Sequence, residues 1–200
     1  MELSKKELSY LLNSDFLLTK NLIIQKIESL LGETELELQQ QLKSSTFRFP
    51  PNTLTKGGKI SKGENYKGLP YLVLDYPRKF KTKEIFAYRV MFWWGHHFSA
   101  TLHLGHMDLI KYRETFVDQL EKLHNQNIFF CVNDSPWEHH FQKDNYVLID
   151  RLGRQEINDF LVDHQFLKLS KKLDLDKWKL LPHFAVENLI LFLKCLDKID

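Results

Sequence analysis

Two hundred residues, 43% hydrophobic and 27% charged, describe a globular chain with one sizeable core, neither disordered nor fibrous. Its 28 Lys and Arg stand against 26 Asp and Glu, and a net charge of +2 gives no field that implies a nucleic-acid or membrane partner. No apolar run outlasts Leu189 to Leu193, far short of a membrane span, and Met1-Glu2-Leu3-Ser4-Lys5-Lys6 does not read as an export signal. Cys131 and Cys195 sit in apolar stretches, without disulfide or zinc spacing, so a cytoplasmic setting is expected.

Ser4-Lys5-Lys6-Glu7 has capping-box spacing and Leu8, Leu11 and Leu12 follow at helical intervals, predicting a short helix that ends near Asn13-Ser14. From Asp15, the residues Phe16, Leu17, Leu18, Ile23, Ile24, Ile27, Leu30 and Leu31 form a broad apolar stripe, closed by Gly32 as a C-cap. Thr34-Glu35-Leu36-Glu37 repeats the capping-box spacing and predicts a third helix. The texture changes at Phe49-Pro50-Pro51, where two prolines bar helix. Gly57, Gly58, Gly63 and Gly68, half of the chain's eight glycines, then mark residues 55–68 as a Gly/Lys-rich loop.

After Pro70 come three β-rich runs, 71–76, 85–94 and 97–104, the last two separated by Gly95-His96 at hairpin spacing. Asp108 is placed to cap a helix whose apolar face is Ile110, Tyr112, Phe116, Leu120 and Leu123. Residues 128–132 and 146–149 are short apolar runs suited to further strands, while 155–171 and 183–196 read as helices. The expected fold is α+β: a central antiparallel β-meander, an N-terminal helical arm, and C-terminal helices packed on one face. One domain over 1–200 is expected, with the arm at 1–44, a sheet-rich core at 45–150 and the C-terminal helices at 151–200.

Charge is unevenly spread. Residues 48–83 hold nine Lys and Arg against Glu64 and Asp75 alone, interleaved with Tyr66, Tyr71, Tyr76 and Phe80, a composition that suits a phosphate or a stacked base. Thr55 to Gly63 lacks the spacing of a nucleotide phosphate loop, and the plainer reading is a solvated loop whose lysines deter strand pairing.

Seven of the nine histidines fall between His96 and His140. Period-two alternation places His97, Ser99, Thr101 and His103 on one face of their strand and Phe98, Ala100, Leu102 and Leu104 on the other. Arg89 shares the polar face, and Asp75 and Tyr71 join it if the register allows. An Arg, two His, two hydroxyls and a carboxylate suit an anion site, or an acid–base site with His97, His103 and Asp75 as candidate catalytic groups. The plainer alternative is a half-exposed face of cross-strand polar pairs.

The expected function is binding of a small anionic ligand on this face beneath the Gly/Lys-rich loop. Its candidate ligand-binding residues are Arg89, His97, Ser99, Thr101, His103, Lys59, Lys62 and Tyr66; no cofactor is indicated. One alternative is an interaction or oligomerisation module, with Leu189, Ile190, Phe192 and Leu193 of the last helix facing a partner or a second copy. Another is a metal-dependent hydrolase or oxygenase, for which His106-x-Asp108 with His164 has facial-triad spacing. His97 and His103, about 20 Å apart along a strand, cannot share one ion. His139-His140 with Asn158 and His164 matches nuclease spacing poorly. No Gly-x-Ser-x-Gly elbow, His-Glu-x-x-His or Cys-x-x-Cys occurs.

Overall fold

Ser4 and Glu7 close a capping box, each side chain accepting the other's backbone N–H, and start α1 (Lys5–Leu11). Asn13 then caps α2 (Ser14–Lys43), one uninterrupted helix of 30 residues. The expected break at Gly32 and restart at Thr34 do not occur. The Thr34 hydroxyl instead donates to the Leu30 carbonyl one turn back, and Ile27, Leu30, Leu31, Thr34 and Leu38 bury a continuous stripe. Tertiary packing of that stripe outweighs the local stop signal.

The computed structural model describes residues 2–197. Its sheet has seven strands in the order β1-β2-β3-β4-β7-β5-β6, every pairing antiparallel. Strands β1 (Lys59–Tyr66), β2 (Leu69–Lys81), β3 (Glu84–Trp93) and β4 (His97–His106) form the meander. The first corrects the expected loop at 55–68: most of that stretch is an edge strand, turned into β2 at Lys67-Gly68, where both residues have positive φ. Its glycines serve pairing as well as turning, because a Cβ at Gly63 would lie 2.5 Å from the Tyr71 ring across from it.

Helix α3 (Met107–Asp118) follows β4, with His106 at its N-cap. Asp108 is therefore not the expected cap; it points inward, buried, and pairs with Lys79 at 2.9 Å. Short strands β5 (Phe129–Cys131) and β6 (Tyr146–Leu148) and helix α4 (Arg154–His164) come next. The helix expected over 155–171 stops at His164, because Gln165 adopts a left-handed φ of 56° and the chain becomes β7 (Phe166–Leu173). That strand pairs with both β4 and β5 and so sits inside the sheet. Helix α5 (Leu181–Lys194) is the last helix among the described residues, with proline in its first turn.

One sheet face is apolar. Leu72, Leu74, Phe86, Tyr88, Val90, Ala100, Leu102, Leu104, Leu167 and Leu169 are all fully buried there, in one core with the inner faces of α2, α3, α4 and α5. Tyr88 donates its hydroxyl to the Ala185 carbonyl at 2.6 Å, tying the sheet to α5. Leu189, Phe192 and Leu193 are buried within this same core, so the last helix does not offer the free apolar face expected of it. Among the described residues no helix is long and apolar enough to cross a membrane.

Candidate functional site

The other sheet face is polar, and cross-strand register arranges it in lines. Lys59, Asp75, Arg89, Thr101 and Ser170 are successive partners across β1, β2, β3, β4 and β7. A second line runs Arg78, Ala87, His103 and Lys168. The two lines lie together because of a bulge in β2: Asp75 faces Arg89 but Arg78 faces Ala87, one residue more on β2 than on β3. Arg78 therefore shares the polar face with Asp75, a placement that simple alternation denies it.

Arg89 and Asp75 form a two-pronged ion pair: Nε donates to Oδ1 at 2.7 Å and the second terminal nitrogen to Oδ2 at 2.9 Å. The remaining nitrogen of Arg89 reaches His139 Nε2 at 3.2 Å. A guanidinium only donates, so His139 accepts through Nε2 and carries its proton on Nδ1. Behind this pair, Thr101 and Ser170 share a hydroxyl hydrogen bond of 2.7 Å.

The roof over these lines is the segment between β5 and β6. Tyr66, at the end of β1, anchors it: the phenol accepts the backbone N–H groups of His139 and His140 at 2.7 and 3.1 Å and donates to Glu138 Oε2 at 3.0 Å. Lys168 rises from β7 to donate to the Glu138 carbonyl, and fully buried Asn145 donates to the His140 carbonyl at 2.5 Å. Trp137 lies edge-on to His103, with ring centroids 5.4 Å apart, and tilted against Phe80. The lid thus comes from residues 132–145, while β1 forms a wall.

Two spaces result. An outer cleft of about 610 Å³ is lined by Lys59, Ser61, Tyr66, Tyr71, Val73, Asp75, Arg78, Phe80, Arg89, Trp137 and His139. Beneath Trp137 a void of about 10 Å³ touches Arg89, Thr101, His103, His139 and Lys168. Burial governs the titration of this inner layer. It pushes His103 down to about 3, with Lys168 and Arg89 adding to the effect, and drives His139 well below the usual imidazole range. Burial likewise lowers Lys168 to about 8. Both imidazoles are therefore neutral at pH 7, and the cleft's charge resides in Lys59, Arg78 and the Arg89–Asp75 pair. Neither Lys59 nor Arg78 has an acidic partner among the described residues, and Arg78 Nε is buried without any hydrogen-bond partner.

The residues singled out from the sequence divide accordingly. Arg89, Asp75, Thr101 and His103 come together, and Lys59, Tyr66 and Tyr71 reach the cleft. Ser99 lies one line further along, opposite Met91 and Lys172. His97 lies at the far end of β4 beneath the Phe141 ring, its burial lowering it to about 4 and its Nε2 unpartnered. Lys62 has the opposite parity to Lys59 and Ser61 and is exposed on the other side of β1. His97 and His103 do not line the open cleft, and Asp75 is held by Arg89, so these three do not assemble an acid–base set at its surface. The metal alternative is not assembled either: Asp108 pairs with Lys79, His164 Nε2 bonds Asp134 at 3.1 Å, and no trio of His, Cys, Asp or Glu among the described residues is close enough to hold an ion.

Arg78, Trp137, His139, Lys168 and Ser170 belong to the site without having been foreseen. Pro77 inside β2 was the available signal for the bulge, since proline within a strand marks an edge or an irregularity. Comparison with protein-family models, with curated proteins and with solved structures finds no match to this chain.

Proposed function

We propose that the outer cleft binds a small anionic ligand carrying a planar ring. One observation supports this above the others: among the described residues Lys59 and Arg78 face the cleft without acidic partners, while the neighbouring cation, Arg89, is already neutralised by Asp75. A carboxylate or phosphate on the ligand supplies what Arg78 lacks, and a guanidinium fork suits either group in two-pronged fashion. Tyr66, Tyr71, Phe80 and Trp137 furnish aromatic walls for a ring, and about 610 Å³ suits a small organic molecule. His139, fixed by Arg89 and with its proton on Nδ1, adds a neutral polar group.

The test is thermal-shift titration with inorganic phosphate, adenosine monophosphate and benzoate, on the wild type and on Arg78→Ala. The expected result is a stabilising shift from a ring-bearing anion in the wild type, lost in Arg78→Ala, whose unliganded melting temperature is unchanged. No shift from any probe, or a shift undiminished in the variant, sinks the reading. Arg89→Ala is a poor substitute, because it strands a buried Asp75.

A further inference from the structure

Every described residue from Glu2 to Thr19 is exposed, yet this arm is rich in large apolar side chains. Leu8, Tyr10, Leu11, Leu12, Phe16, Leu17 and Leu18 are each between 46% and 75% exposed, and Leu22 and Ile23 carry the surface on to the docked half of α2. A run of apolar positions this long, packed on nothing among the described residues, is abnormal for a monomer. At the point where the arm meets the body lies an apolar groove of about 530 Å³, walled by Ile23, Ile27, Phe92, Trp94, Phe98 and Trp178. Knob and groove thus meet at Ile23 on one molecule.

The exposed area agrees. The chain presents 11873 Å², whereas a compact monomer of 23.9 kDa presents about 9,900 Å². The excess, about 2,000 Å², covers the roughly 800 Å² per partner that a stable interface requires. A membrane is the poorer occupant. Lys5, Lys6 and Lys20 are balanced by Glu2, Glu7 and Asp15, whereas helices that lie on anionic lipid carry a basic polar face.

We propose that two copies of this chain form a symmetric dimer in which the α1–α2 arm of each lies in the Trp94–Trp178 groove of the other. A two-fold operation near Ile23 gives each arm the same apolar groove and leaves neither unpartnered, as a closed isologous interface demands.

The experiment is sedimentation velocity of the full chain across a concentration series from 1 to 100 µM. Three samples are compared: wild type, the arm variant Phe16→Asp/Leu17→Asp, and the groove variant Trp178→Glu. Wild type is expected at twice the monomer mass and each variant at the monomer mass, with unchanged far-ultraviolet circular dichroism because all three positions are exposed in the single chain. Mixing the two variants should restore a dimer, since one intact arm then meets one intact groove. A wild type that stays monomeric overturns the proposal, whether or not it co-sediments with phosphatidylcholine–phosphatidylserine vesicles. A dimer that survives either variant overturns the arm-in-groove arrangement.

Discussion

Arg89 illustrates how a single side chain changes meaning once its partner is known. Alternation along β3 and β4 placed it on the polar face with Thr101 and His103; the turn between these strands takes in Trp94 as well as the expected Gly95-His96, and that one extra residue sets Arg89 directly opposite Thr101. Its bidentate bond to Asp75 makes it a structural cation, with Asp75 only 6% exposed. Asp75→Asn or Arg89→Ala should destabilise the protein by about 3 kcal/mol, because either leaves a charge buried without its counterion; urea denaturation midpoints measure it. The buried histidines give the second prediction. In the unfolded chain their imidazoles titrate near 6.5, but in the fold His97 and His103 titrate near 4 and 3. The unfolded state therefore binds more protons as pH falls, so the stability these neutral rings allow is complete above about pH 6.5 and is lost progressively toward pH 4. Denaturation midpoints at pH 7, 6 and 5 should decline in that order, and equal midpoints would contradict neutral burial.

Among the elements, β2, β3 and β4 were legible because apolar alternation marked them, while β1, α2 and β7 were not: the glycines and lysines of β1 imitate a loop. Gly32 imitates a helix stop, yet it lies inside α2 with helical neighbours and open space where a Cβ would go. Gly32→Ala should therefore stabilise the protein by about 0.5–1 kcal/mol, the ordinary gain of alanine over glycine inside a helix, seen as a raised denaturation midpoint. Leu38→Ala, on the fully buried stripe of the same helix, should cost about 2–5 kcal/mol by opening a cavity. At β7 the opposite error arose: no glycine announces the end of α4, because Gln165 takes the left-handed position itself, and the period-two pattern of Leu167, Lys168, Leu169 and Ser170 was absorbed into a helix. Lys168 and Ser170 were lost from the candidate site for that reason alone. His139 and Trp137 were lost because they stand on irregular chain, where no periodicity says which way a side chain faces. The bulge at Tyr76-Pro77 hid Arg78 by shifting the frame of alternation within a single strand.

At the scale of the molecule, the sheet has one face sealed by helices and another roofed only in part by a segment of irregular chain. The α+β architecture and its antiparallel meander could be read from patterning, since three consecutive β-rich runs joined by short turns and flanked by helical patterns admit few other folds. The roof could not be read, because its anchors Tyr66, Glu138 and Lys168 are joined across more than seventy positions of sequence in one case and thirty in the other. The position of β7 has a consequence for the order in which the chain is made. β4 emerges from the ribosome with one edge already paired to β3, but its other partner, beginning at Phe166, follows about sixty residues later, some 3–12 s at ordinary rates of synthesis. During that interval the nascent β4 carries an unpaired edge, the configuration most prone to joining a neighbouring chain. A chain released after Gln165 should accordingly partition to the pellet on expression while the 200-residue chain stays in the supernatant, and the inner void beneath Trp137, which Lys168 of β7 touches, is complete only once β7 has been made.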